Sequence, residues 1–115
     1  MDRKALEQVP AAMAKLLKEY DLKVEKTLDD LLDFHVQFER IHPFQDGNGR
    51  VGRLILLKEC LRFGIIPFIV DERHKLFYYR GLKEWDRFPG YLRDTCLLMQ
   101  DDFKAILDYF GIEYR

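Results

Sequence analysis

The chain has 115 residues, 48% of them hydrophobic and 14% aromatic, with 19 Lys and Arg against 20 Asp and Glu. That length suits one domain with a modest core, and the apolar content argues against disorder. A net charge of −1 and a pI near 6.3 supply no basic field, so neither nucleic acid nor an anionic membrane is expected as a partner.

In chain order, Val9, Met13, Leu16, Leu17 and Tyr20 recur at helical spacing and share one face, with Pro10 suited to the first turn of that helix. A second helix is expected from Thr27, with Asp30 completing a capping box. Its stripe is Leu28, Leu31, Leu32, His35 and Phe38, with Phe34 and Ile41 beside it. Pro43 stops it near His42, because the residue before proline disfavours helical angles. A polar loop follows over residues 44–48. A third helix is expected over 49–63, with Val51, Leu54, Ile55, Leu57 and Leu61 on its face and Gly64 as its stop. Residues 65–70 read as a short extended connection broken by Pro67. Further helices are expected over 75–86 and 91–110, with Gly111 ending the last. The fold class is therefore all-α, with at most a short β element.

The cysteines, Cys60 and Cys96, lie in apolar helical patterns without CxxC spacing and read as buried thiols in a reducing compartment. The first residues lack the apolar stretch of a signal peptide, and the apolar run 54–57 is too short to span a bilayer. These features point to a cytoplasmic protein. His35 reads as a core or boundary histidine, His74 as a solvated one, and residues 71–73 as a solvated turn.

The chemistry concentrates in residues 42–53, His-Pro-Phe-Gln-Asp-Gly-Asn-Gly-Arg-Val-Gly-Arg. Gly47 and Gly49 flank Asn48 just before a long helix. Glycines allow several N–H groups to turn toward one point, and the first N–H groups of a helix have no internal partner. The helix dipole favours an anion there, so the three residues suit a phosphate cradle. Arg50 and Arg53 share a helix face and lean back toward the loop. Two cations at a positive dipole end make sense if a polyanion is the missing partner, and guanidinium groups match phosphate oxygens in a fork. Asp46 offers the hard oxygen that Mg²⁺ takes when phosphates and water supply the rest. His42 is a candidate base for a hydroxyl attacking phosphorus.

Each piece has a plainer reading: a structural histidine, a turn, solvated arginines, a helix-capping aspartate. Their order within one turn and helix favours the combined one. Gly47, Gly49 and Gly52 also fit G-x-G-x-x-G, with Asp71 nineteen residues beyond. A dinucleotide-binding unit needs a buried strand before that loop, and residues 38–43 are not one. A P-loop fails because no Gly-Lys-Ser/Thr follows.

This stretch resembles the Fic (filamentation induced by cAMP) signature, H-x-F-x-[D/E]-G-N-G-R-x-x-R, at every fixed position. A looser resemblance covers most of the chain: the preceding helix, the Arg-Leu-Ile-Leu continuation, and the Pro-Phe-Ile stretch before a Tyr-rich helix. The resemblance implies a protein adenylyltransferase that uses ATP and Mg²⁺ to place AMP on a Ser, Thr or Tyr hydroxyl of a target protein. It makes His42 the base, Phe44 a core anchor for the loop, and Asp46 the Mg²⁺ ligand. Gly47, Asn48 and Gly49 become the anion hole, and Arg50 and Arg53 the clamps on the departing pyrophosphate. Tyr78 or Tyr79, with Leu82, would line the adenine pocket. Related chemistries, namely a nucleotide- or partner-binding module without transfer, transfer of another phosphate-linked group, or removal of AMP, remain alternatives.

Family members are often restrained by a helix bearing [S/T]-x-x-x-E-[G/N], whose glutamate pairs with the second motif arginine. The chain has no serine, and neither Thr27 nor Thr95 has a glutamate four residues later. It is expected to be a single catalytic core over 1–115 that lacks both this helix and the β-hairpin flap usually ahead of the motif. A glutamate for Arg53 would then come from another segment or a partner chain.

Overall fold

The computed structural model describes residues 3–114, with side chains from residue 7 onward. Five helices follow in order: α1 Arg3–Asp21, α2 Leu28–Ile41, α3 Asn48–Arg62, α4 Lys75–Lys83 and α5 Pro89–Tyr109. No strand occurs among the described residues, and 65–70 is neither helix nor strand. The architecture is all-α, as the periodicity indicates.

α2 is the hub, packing against α1, α3 and α5, while α4 packs closely on α5. Its start follows from local chemistry. Thr27 accepts a hydrogen bond from the Asp30 backbone N–H, and the Asp30 carboxylate accepts from the Thr27 backbone N–H at 2.8 Å. α2 buries Leu31, Leu32, Phe34, His35, Val36 and Phe38, so it has apolar surface on two sides. Leu31, Leu32 and Val36 join Leu56, Cys60, Phe68, Tyr78, Leu92, Cys96 and Met99 in the main core. Phe34 and Phe38 join Leu16 of α1 in a smaller one. Both cysteines are free and buried, as expected from their apolar setting.

Polar ties fix the helices around α2. Arg93 of α5 makes a bidentate pair with Asp29 in the first turn of α2, at 2.8 and 2.7 Å. Arg40 near the other end of α2 pairs with Asp86 just beyond α4 at 3.0 Å. Trp85 donates its indole N–H to Asp33 at 2.9 Å. Exposed pairs of this kind contribute little stability, but Arg40–Asp86 and Trp85–Asp33 tie the segment just beyond α4 to α2. Gln100 of α5 donates to the Ile66 carbonyl at 2.7 Å and holds the extended segment down.

Several expectations need correction. Pro10 lies inside α1, because the helix already runs from Arg3. It interrupts the helical ladder instead of opening it. On α3 the buried residues are Asn48, Gly52, Leu56, Glu59 and Cys60, whereas Leu54 and Leu61 are each 65% exposed. Val51 and Ile55 of the expected face do pack against the smaller core, but Leu54 and Leu61 do not, because two of the inward positions are Gly52 and Glu59. Glu59 can be inside because Arg62 lies 3.4 Å from it and the Tyr20 hydroxyl, also buried, lies beside it. Leu17, placed on the inner face of α1, is exposed. α4 stops at Lys83, three residues before the expected end. His74 is not solvated: its side chain is 12% exposed and its Nδ1 lies 2.8 Å from Asp71 Oδ1. Asp71 also accepts the His74 backbone N–H at 2.9 Å, so residues 71–74 form a built turn into α4. With Asp102, which Arg73 already neutralises at 2.6 Å, they bring three ligand-type groups within 4.8 Å of one another.

Candidate active site

The candidate site forms where α2 ends and α3 begins. His42 caps α2 in the left-handed conformation, with φ 56° and ψ 60°, and donates its backbone N–H to the Phe38 carbonyl at 3.1 Å. It is the one non-glycine residue with positive φ among those described. That conformation costs about 1–2 kcal/mol for such a residue, and here it turns the imidazole out of the helix into solvent. Pro43 enforces the break.

The loop is held by Asn48. Its side-chain carbonyl accepts the Phe44 N–H and its amide donates to the Phe44 carbonyl, both at 2.8 Å. Asn48 is buried, so its side chain is committed to the loop's shape and only its backbone N–H is left for an anion. The periodicity gave no sign of this pincer. Its signal was a buried-type position filled by a residue with one donor and one acceptor. Phe44 is not a core anchor as expected. It is 48% exposed and touches the Phe38 ring at a centroid distance of 6.5 Å. The backbone pincer, not apolar burial, fixes it.

Gly47 is the N-cap of α3 with φ 77°, a left-handed angle that glycine takes without strain. The first helical bond runs from the Val51 N–H to the Gly47 carbonyl at 3.0 Å, so the N–H groups of 48–50 have no helical partner. Arg53 bends back over this turn. Its Nη1 lies 2.9 Å from where a Cβ on Gly49 would be, which puts the guanidinium at the opening of the helix. Arg50 is exposed beside it. Neither arginine makes an ion pair among the described residues, and both lie near the positive end of the helix. Asp46 is exposed on the loop and belongs to no cluster of three or more His, Cys, Asp or Glu ligand groups among the described residues. A groove of about 320 Å³ continues from Arg50 and Arg53 along Leu54 and Leu57 to Phe68 and Val70.

Behind the site lies a polar pair in the core. His35 Nδ1 is 3.2 Å from the Gly52 carbonyl and its Nε2 is 2.5 Å from the Tyr78 hydroxyl. A carbonyl only accepts, so the hydrogen is assigned to Nδ1 and the Tyr78 hydroxyl donates to Nε2. His35 is the satisfied core histidine that its place on the stripe suggested. Tyr78 is 1% exposed and lies in the main core, which removes it from any adenine pocket. Its neighbour Tyr79 is 47% exposed and shares a helical face with the half-buried Leu82.

Burial pushes the His35 imidazole down to about 4, and the nearby Arg53 charge adds to the effect. The folded protein therefore keeps His35 neutral where the unfolded chain, near 6.5, takes a proton. Stability from this group is complete above pH 6.5, is lost as pH falls toward 4, and changes no further below. Unfolding midpoints measured from pH 7 to pH 4 are expected to fall, with about 1–3 kcal/mol traceable to His35. Its ring resonances should show the neutral form at pH 5 in the folded protein.

The fold and site define an all-α core in which a left-handed histidine cap is joined by a short loop to an arginine-bearing helix N-terminus. The Fic/DOC family model matches residues 4–60, and the chain belongs to that family. It is 42% identical over 66 residues to a probable protein adenylyltransferase of Aquifex aeolicus, covering 55% of this chain and 20% of that protein. It is 42% identical over 76 residues to the protein adenylyltransferase Fic of Aedes aegypti, covering 66% of this chain and 15% of that protein. The Drosophila melanogaster protein of the same name matches at 41% over the same share. The chain thus spans a fifth or less of the length of these relatives.

Proposed function

We propose that this chain is the catalytic core of a protein adenylyltransferase, moving AMP from Mg-ATP to a Ser, Thr or Tyr hydroxyl of a target protein. The observation that carries the proposal is that His42, exposed at the end of α2, is joined by a short loop to the N-terminus of α3, over which Arg53 is folded. In this reading the triphosphate lies across the free N–H groups of residues 48–50. Arg50 and Arg53 hold the outer phosphates. His42 accepts the proton of the target hydroxyl as its oxygen forms a bond to the α-phosphorus. The bond from that phosphorus to the bridging oxygen breaks, and pyrophosphate leaves on the arginines, whose charge offsets what develops there.

Asp46 suits Mg²⁺, because it is a single exposed hard-oxygen donor beside a phosphate cradle. Bound there with the phosphates, the ion would neutralise their charge. Tyr79 and Leu82 are the proposed base contacts. Regulation would come from a glutamate supplied to Arg53 by another segment or a partner chain. Among the described residues no helix is long and apolar enough to cross a membrane. With two free buried thiols this fits a cytoplasmic site of action.

The test is label transfer to protein in a cell lysate with Mg²⁺, run in parallel with ATP labelled at the α- or the γ-phosphate. Protein-bound label from the α position alone is the expected result. Label from the γ position would replace the proposal with phosphoryl transfer. Mg-ATP binding without either label would replace it with a nucleotide-binding module.

A further inference from the structure

Glu39, three residues before His42 on α2, has no part in the roles assigned above. Its Oε1 is fully enclosed and has no hydrogen-bond partner among the described residues. A buried carboxylate oxygen left unpaired is costly, so its surroundings are informative. It sits against Gly52: a Cβ there would lie 2.2 Å from Oε1 and 3.2 Å from Phe38 Cδ1. Only glycine leaves that notch. Burial raises the Glu39 carboxyl, and the nearby charges of Arg53 and His42 pull it back down, though neither makes an ion pair with it among the described residues. The Tyr78 hydroxyl, bonded to His35, feels both Glu39 and Arg53.

The order along α3 decides what Glu39 can do. Gly49 is in the first turn, at the cradle, and Gly52 lies almost a turn deeper. The Arg53 guanidinium covers the Gly49 position, while the Glu39 carboxylate fills the Gly52 position. Glu39 is therefore behind Arg53 and does not occupy the place of a phosphate. We propose that Glu39 is a positioning residue: seated against Gly52, its charge acts through space on Arg53 and draws the guanidinium over Gly49, aimed at the outer phosphates of the nucleotide. An arginine side chain is long and entropically free, and near a second arginine at a positive helix end it is pushed away. A carboxylate beneath it offsets that repulsion and fixes its geometry before the nucleotide arrives, which lowers the cost of binding. This inference rests on the nucleotide reading given under the proposed function.

The test is calorimetric binding of Mg-ATP and of AMP to the unaltered chain, Glu39→Gln, Arg53→Ala and the double variant. AMP lacks the outer phosphates. Glu39→Gln is expected to raise the Kd for Mg-ATP about tenfold, to leave that for AMP unchanged, and to add nothing once Arg53 is gone. Simple charge removal would act the other way, since losing a negative group favours an anion. Gly52→Ala, which crowds the carboxylate out while keeping its charge, should show the same ATP-selective loss, and circular dichroism would check that each variant is folded. Unchanged or tighter Mg-ATP binding in Glu39→Gln, an equal loss for AMP, or an equal loss without Arg53 would overturn the inference. Failure of the unaltered chain to bind Mg-ATP would instead overturn the nucleotide reading beneath it.

Discussion

Replacing His42 by asparagine is expected to leave Mg-ATP binding intact while transfer of AMP falls about 10²–10⁴-fold, the usual worth of a positioned general base. The choice of asparagine matters. His42 stands at φ 56°, and asparagine is among the few side chains that take left-handed angles readily, so the turn between α2 and the loop is kept. Alanine would remove the base and strain the turn together, confusing two effects. The proposed anion contacts are on α3, not on His42, so nucleotide affinity and transfer should separate cleanly. A loss of binding equal to the loss of transfer would show that His42 shapes the site without serving as its base. Equal transfer by both proteins would remove it from the chemistry.

The second large effect is on stability. Gly81 of α4 faces Leu92 of α5 so closely that a Cβ would lie 2.7 Å from the Leu92 Cα and 2.9 Å from its backbone N. Backbone cannot move aside as a flexible side chain does, so the two helices would have to part. Gly81→Ala is expected to destabilise the fold by about 1–3 kcal/mol, even though alanine favours helix over glycine by about 1 kcal/mol. For a chain of this size that lowers the thermal midpoint by several degrees, which a melting curve would detect. A midpoint equal to or above that of the unaltered chain would show that α4 and α5 tolerate separation. The same parting would move Tyr78, which is on α4 and bonds His35 behind the candidate site, so nucleotide affinity should weaken in parallel.

These two sites differ in how they could be read. Residues 42–53 carry their chemistry in local order. A proline ends one helix, glycines open the next, and the arginines fall one turn inside it, so the cradle follows from the residues themselves. The capping box of Thr27 and Asp30 is local in the same way, and its two hydrogen bonds link residues three apart. Gly81 is different. Nothing near it in sequence distinguishes it from a poor helix former, and its purpose lies eleven residues away on a helix that packs across it.

Part of the buried side of α3, beyond Val51 and Ile55, is hidden from the sequence for a related reason. Apolar periodicity finds the inner face only when that face is filled by large apolar side chains. Here a glycine and a glutamate occupy inward positions, since Gly52 leaves room for Glu39 and Glu59 meets Arg62 and Tyr20. Phe44 reads as an anchor from its place in the signature, but the Asn48 side chain supplies the constraint. Tyr78 and Tyr79 are adjacent and equivalent by composition. Only the packing of α4 on α5 and α2 places one in the core with His35 and leaves the other in solvent. The sequence by itself determined the helical class, the breaks between helices and the ordered set of groups from His42 to Arg53, because hydrogen bonding and backbone sterics act between near neighbours. The tertiary structure alone decided which faces are buried, which tyrosine is free and what stands behind Arg53, because those depend on contacts between residues distant in the chain.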